Sequence, residues 1–155
     1  ARHAGRLSGV VPVSARETSP LHWSARYVGL PWLDGGRTVE GVDCWGLVRL
    51  VFKLERGLDL PDYGEIPAHK LISVARAVTA GKEGEDWQPV VKGLQRAFDV
   101  CVMRLPQGRS TGHVGVMVDA TRVLHVEAAC DAAIVPLSHF TIRERVACFR
   151  RHRAM

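Results

Sequence analysis

The 155-residue chain predicts an α+β fold, an expectation carried by two changes of pattern and one oddly placed cysteine. From Asp43 onward Leu47, Val48, Val51, Leu54 and Leu58 keep helical spacing. Beyond Phe98 the apolar period changes to two, in short runs divided by turn residues. A helical half followed by an antiparallel meander makes an α+β domain, here with a central helix on a sheet of about five strands. The cysteine, Cys44 in "GVDCWGLVRLVF", stands in the first turn of that helix, where a core thiol has no reason to be.

Residues 1–19 read as an extended basic arm of Gly, Ser, Pro and Arg without periodicity, and residues 20–155 as one domain. Ser19-Pro20 is a helix-start signal, and a short helix through "LHWSARYVG" ends near Gly29. "LPWLDGGRTVEG" is a loop that delivers the chain to Asp43, the N-cap of the central helix, and Gly57 is its C-terminal glycine. Leu50 and Phe52 add apolar surface on other sides, so this helix is central rather than peripheral. "DLPDYGEIPAH" is loop, and "KLISVARAV" and "WQPVVKGLQRAF" suggest two short helices. "FDVCVMR", "HVGVMVD", "RVLHVEA", "AAIVPL" and "RVACFRR" are the strands.

Composition narrows the classes. Hydrophobic residues make up 46% and charged residues 24%, which is ordinary globular content. No apolar run approaches the roughly 18 residues that a membrane span needs. The first residues lack the apolar core of a signal peptide, so action outside the cytoplasm would require another carrier. The net charge is +5, with arginines crowding both ends; such tails are solvated or dock into an assembly more readily than they bind nucleic acid, for which no motif is present. Cys44, Cys101, Cys130 and Cys148 form no CxxC pair, so free thiols are expected, with Cys101 and Cys148 inert in apolar runs.

At a helix start, unpaired N–H groups and the helix dipole favour an anion, which lowers a thiol's pKa and raises its reactivity. Two strand histidines supply a partner. His113 and His125 would pair directly across a hairpin centred on Asp119, with Cβ atoms about 5 Å apart. One imidazole would take the thiol proton while the other fixes its tautomer. Metal binding by the pair is the rival reading, but spacing shows no third ligand, and no cofactor motif is present.

"YVGLPWLDGGRTVEGVDCWGLVRLVF" resembles the nucleophile segment of the NlpC-type papain-like cell-wall peptidases, a Gly-Gly loop followed by an Asp-Cys helix start. "GHVGVMVDATRVLHVEA" is similar to that family's Gly-His-Val-Gly strand and second polar residue, and "FDVCVMR" to a strand usually introduced by Gly-Asp, with Phe98 in place of Gly. Pro31-Trp32 and Trp45 are most similar to peptidases of phage tail tips and gene transfer agents. The resemblance implies Cys44 as nucleophile, His113 as general base and His125 as orienting residue. Trp32 stands where the family often has an oxyanion-stabilising tyrosine; Trp32, Asp43 and Trp45 are the substrate or oxyanion candidates, Trp32 and Trp45 reading better as cleft walls.

The function so implied is a cysteine endopeptidase cleaving peptidoglycan stem peptides, the γ-D-glutamyl to diamino-acid bond in particular. It would be made in the cytoplasm, carried on a phage-like tail, and docked to tail or baseplate proteins through its N-terminal arm. The alternative is a structural tail or baseplate component of weak or no activity. An amidase or acyltransferase on the same scaffold stays open, because a fold does not set the scissile bond.

Overall fold

The computed structural model describes residues 21–62, 86–109 and 111–155. The N-terminal arm and the helix expected over "KLISVARAV" lie outside these residues. Described first is a 3₁₀ helix, Trp23–Tyr27, capped by His22, while the expected start at Ser19-Pro20 lies outside the described residues. The His22 ring accepts from the Ser24 N–H, the bond an N-cap side chain makes. Next, β1 (Arg37–Thr38) and β2 (Gly41–Val42) form a small antiparallel ribbon inside the expected loop. The central helix α1 (Cys44–Arg56) follows at once.

Both ends of α1 are set by the residues expected there. Asp43 Oδ1 accepts the Gly46 N–H at 2.6 Å. Gly57 adopts φ 65°, its N–H bonding Lys53 O, while the Leu58 N–H reaches back to Phe52 O. The Gly57 bond to Lys53 is the αL helix closure, and a residue with a Cβ would be strained at Gly57. The buried face differs from the expected stripe. Trp45, Leu47, Val48, Val51 and Phe52 are buried, whereas Leu54 is half exposed. Each large side chain so placed stabilises the domain by about 1.5–3 kcal/mol.

Six strands form one antiparallel sheet, one more than expected: β3 (Trp87–Val90), β4 (Val100–Arg104), β5 (Thr111–Met117), β6 (Arg122–Glu127), β7 (Cys130–Pro136) and β8 (Val146–His152). Their order is β3-β8-β4-β5-β6-β7. α1 packs on β5 and β6. Its apolar face meets Val100, Val102, Val114, Val116 and Leu124. The opposite sheet face has a smaller core of Cys101, Met103, Met117, Val123, Ile142 and Phe149.

The extra strand is a correction. "WQPVVKGLQRAF" forms no helix among the described residues; its first four residues pair with β8, Trp87 opposite His152. The Trp87 ring meets His152 edge-on at 5.0 Å and Phe52 at 5.9 Å, so burial outweighs a weak helical period. Pro89 lacks an N–H and suits an edge strand. The C-terminal basic run is corrected too. Arg150, Arg151 and His152 belong to β8, and Arg151 grips buried Asp99 with two bonds of 2.7 and 2.8 Å. These are structural charges, not a solvated tail. Phe98, just before β4, has φ 69° and stacks on Trp23 at 4.6 Å. A ring contact thus offsets backbone strain of order 1–3 kcal/mol that glycine would escape.

Cys101 is fully buried, its thiol pushed up to about 12 by burial, as an inert core residue should be. Cys148 is half-buried against the core and Cys130 is exposed; all four cysteines are free. Among the described residues no helix is long and apolar enough to cross a membrane.

Candidate active site

The helix start is anchored from three sides. Asp43 is fully buried; besides capping Gly46, its Oδ1 meets Arg37 Nη1 at 2.7 Å and its Oδ2 accepts the Gly35 N–H at 3.2 Å. Arg37 continues to Asp62 at 2.9 Å, and Arg49 reaches the same carboxylate at 3.3 Å. The Gly-Gly loop touches the helix closely. A Cβ at Gly46 would stand 2.0 Å from Gly36 O, so neither a side chain nor a looser loop fits there. This seating turns Cys44 toward β5, where the Val114 N–H bonds its sulfur. Arg37 was invisible to periodicity, since its two carboxylate partners, Asp43 and Asp62, lie on separate segments.

Cys44 is only 3% exposed, yet it lines a cavity of about 310 Å³ together with Trp32, His113, Glu127 and Arg145. The histidines meet, but not as expected. The Val118 N–H bonds Arg122 O, and Val116 faces Leu124, so the turn centres on Ala120 rather than Asp119. Asp119 instead ties the turn, accepting the Thr121 and Arg122 N–H groups. The shift sets His125 beside Gly115, where a Cβ would come within 3.1 Å of the histidine's own Cβ. His113 and His125 are therefore diagonal neighbours, joined by a bond of 2.9 Å between His113 Nε2 and His125 Nδ1. The glycine leaves the room that direct pairing was expected to supply.

Glu127 is the residue that sequence reasoning missed. It lies 3.5 Å from His113 Nε2 and pairs with Arg145, which also donates to Arg104 O at 2.9 Å. The signal was present: in a strand, residues 125 and 127 share a face. Two other candidates are not in the cavity. Trp45 is buried, with its indole N–H bonded to Pro61 O at 3.0 Å, and Asp43 is a cap. Neither touches a substrate placed in this cavity. Trp32 does line it and pairs with Val42 through a backbone bridge.

Electrostatics overturn one expectation. Burial pushes the Cys44 thiol up to about 12, and the bonds from Val114 and Trp45 recover only part of this. The dipole of one helix turn is worth about 0.3–1 kcal/mol, too little to win against complete desolvation. His113 is pushed below the usual histidine range by burial and by the neighbouring His125; burial lowers His125 too. At rest the thiol keeps its proton and both rings are neutral.

Two outcomes follow from that state. Alkylation of Cys44 by a small haloacetamide, resolved from exposed Cys130 by peptide mass mapping, should rise roughly tenfold per pH unit between about pH 6 and 9, as thiolate fraction does. A rate already flat below about pH 7 would mean a thiolate–imidazolium pair formed at rest. Stability should also fall in mild acid. The unfolded rings bind protons near their ordinary pKa while the folded ones do not, so the unfolded state holds more protons and stability rises with pH. Each such histidine contributes a slope of up to ~1.4 kcal/mol per pH unit below about pH 6.5. Thermal melts from pH 7.5 to 5 should show it, and His113→Gln should flatten it; equal slopes in both proteins would refute burial of a neutral ring.

A sulfur at a helix start, turned onto a sheet that carries two bonded imidazoles, defines an α+β domain of the papain-like thiol–imidazole type. The chain belongs to the NlpC/P60 family, whose model matches residues 29–151. Among solved structures it is similar to the NlpC/p60 domain of the peptidoglycan hydrolase SagA, at 20% identity and TM-score 0.54, over 82% of this chain and 90% of that one. It is also similar to an NlpC/P60 family protein from Bacillus cereus ATCC 10987, at 23% identity and TM-score 0.60, covering 81% of this chain but 36% of that one. A third is a lipoprotein-like NLP/P60 family protein from Staphylococcus aureus subsp. aureus Mu50, at 21% identity and TM-score 0.57, with 83% and 38% covered. No curated protein matches the chain by sequence.

Proposed function

We propose that the protein is a cysteine peptidase of peptidoglycan stem peptides with Cys44 as nucleophile and His113 as general base. The observation that carries this reading is the shared cavity, which brings a helix-start thiol to one surface with His113, the ring that His125 holds. His113 Nε2 is held by His125, which leaves Nδ1 to receive the thiol proton. The sulfur then attacks the peptide carbonyl, and the C–N bond breaks as the imidazolium protonates the leaving amine. Water cleaves the thioester, giving its proton to His113, and the sulfur leaves to recover that proton. Glu127 stabilises the transient imidazolium, and Arg145 keeps Glu127 ionised and in place. Because the thiol starts neutral, proton transfer accompanies attack, and a bound substrate that excludes water from the cavity promotes both. The backbone N–H of Cys44, at the start of the helix, suits the oxyanion.

The scissile bond is the γ-D-glutamyl to diamino-acid link, and delivery is by a phage-like tail; Pro31-Trp32 and Trp45 support this through their likeness to tail-tip peptidases. Incubating purified protein with isolated sacculi and resolving the muropeptides by mass tests the reaction. Fragments newly ended at that link are expected; an unchanged profile would refute the activity, and cleavage at an amide to the sugar would make the protein an amidase. The alternative, a tail component of weak activity, draws on Trp32 at the usual tyrosine position and on the buried, protonated thiol. An unchanged profile together with stable binding to a tail assembly would favour it.

A further inference from the structure

We infer that His113, His125 and Glu127 form a latent site for one divalent transition-metal ion of nitrogen preference, zinc being the type, and that occupation silences the thiol. One ligand atom from each residue lies within 4.8 Å of the others. His113 Nε2 stands 2.9 Å from His125 Nδ1 and 3.5 Å from Glu127 Oε1. Zinc bonds of about 2.0–2.1 Å in tetrahedral geometry place ligand atoms roughly 3.3–3.4 Å apart, so two of the three edges are nearly formed. All three residues sit on adjacent strands β5 and β6, which hold them without a ligand. His113 and Glu127 line the cavity, through which an ion can reach them. Arg145 shares Glu127, but a carboxylate has lone pairs enough for a metal and a guanidinium together.

Inhibition follows from the tautomer. As a base, His113 carries its proton on Nε2 and offers Nδ1 to the thiol. A metal on Nε2 sends that proton to Nδ1, and the ring can then no longer accept one. No net proton is gained or lost by the ring. Binding itself is independent of the peptidase reading; silencing rests on it.

The test separates the two. Cobalt(II) is titrated into tag-free Cys44→Ala protein, which has no thiolate at the site. One equivalent giving the visible absorption of a low-coordinate nitrogen–oxygen site, displaced by zinc, is expected. Loss of an outer-shell partner alone costs roughly 10–100-fold in metal affinity, so His125→Ala and Glu127→Gln should each weaken binding by about 100-fold. Circular dichroism checks that the variants fold, and His125→Asn replaces His125→Ala if that variant does not. Only the faint absorption of free aqueous cobalt, or affinity unchanged in the variants, overturns the site. With wild-type protein, one equivalent of zinc should stop sacculus digestion and a chelator restore it. Digestion that continues with the site filled overturns the switch while leaving the site, and the cobalt result stands even if no digestion occurs.

Discussion

Cys44→Ala protein should leave sacculi intact at enzyme concentrations where the wild type releases muropeptides. On the proposed mechanism one sulfur makes the only covalent bond to the substrate, and the cavity offers no second thiol: Cys101 is buried in the opposite core and Cys130 is exposed at the start of β7. Removing the nucleophile of a hydrolytic constellation costs on the order of 10⁶-fold in turnover, because the remaining groups have nothing left to activate. Cys44 is buried beside Val114, and alanine there leaves only a small void, so the fold should survive. Circular dichroism and melting temperature verify that point, and muropeptide release over time measures the loss. A variant retaining more than about 1% of activity would remove Cys44 from the mechanism, since even a single oxyanion donor is worth 10²–10³-fold. His113→Ala should fall nearly as far, because a nucleophile and its base act as a unit.

The second large effect is on stability. Asp43→Ala should lower unfolding free energy by about 3 kcal/mol, the low end for breaking a buried ion pair. Three partners lose their acceptor at once: the Gly46 N–H, the Gly35 N–H and the Arg37 guanidinium. The cap by itself is worth about 0.5–2 kcal/mol. Arg37 keeps Asp62, which is why the low end applies. For a chain of this size the loss lowers the melting temperature by about 6–12 °C. Asp43→Asn separates the contributions, as it keeps the cap oxygen and removes the charge, and its loss should fall between the two. Urea unfolding of the three proteins decides the matter. A loss below about 1 kcal/mol for alanine would show that the loop, not the carboxylate, seats the helix.

The same residue shows where local pattern suffices and where it fails. Asp43 as N-cap, Gly57 as closing glycine and the two-residue period of β4 to β8 are local facts. Each is set by a backbone bond or a facing within a few residues, so the chain declares them in order. The α+β class and the nucleophile's position at a helix start follow from them. Sequence reasoning offered Asp43 as a substrate residue because it could not see that Arg37, Gly35 and Gly46 exhaust its oxygens. It offered Trp45 for the same reason, Pro61 being the unseen partner.

Distances between strands were harder. That His113 and His125 meet was legible from alternation and a shared turn, but the register depended on one residue of loop. The shift to Ala120 put Gly115, rather than a second ring, opposite His125. Glu127 entered the site by the same geometry. β3 is a strand where a helix is expected because Trp87 is stabilised by His152 and Phe52, contacts that no window of neighbouring residues contains.

The chain order of amino acids alone therefore settled strands β4 to β8, where the central helix begins and ends, and that a thiol and two imidazoles would be available. Their ionisation was settled by folding. A carboxylate, a guanidinium and a sheet from distant segments enclose the sulfur and strip its water, and desolvation acts on every charge in the site at close range. Local dipoles are weak beside it, which is why a thiol that looked acidic in the sequence holds its proton in the structure.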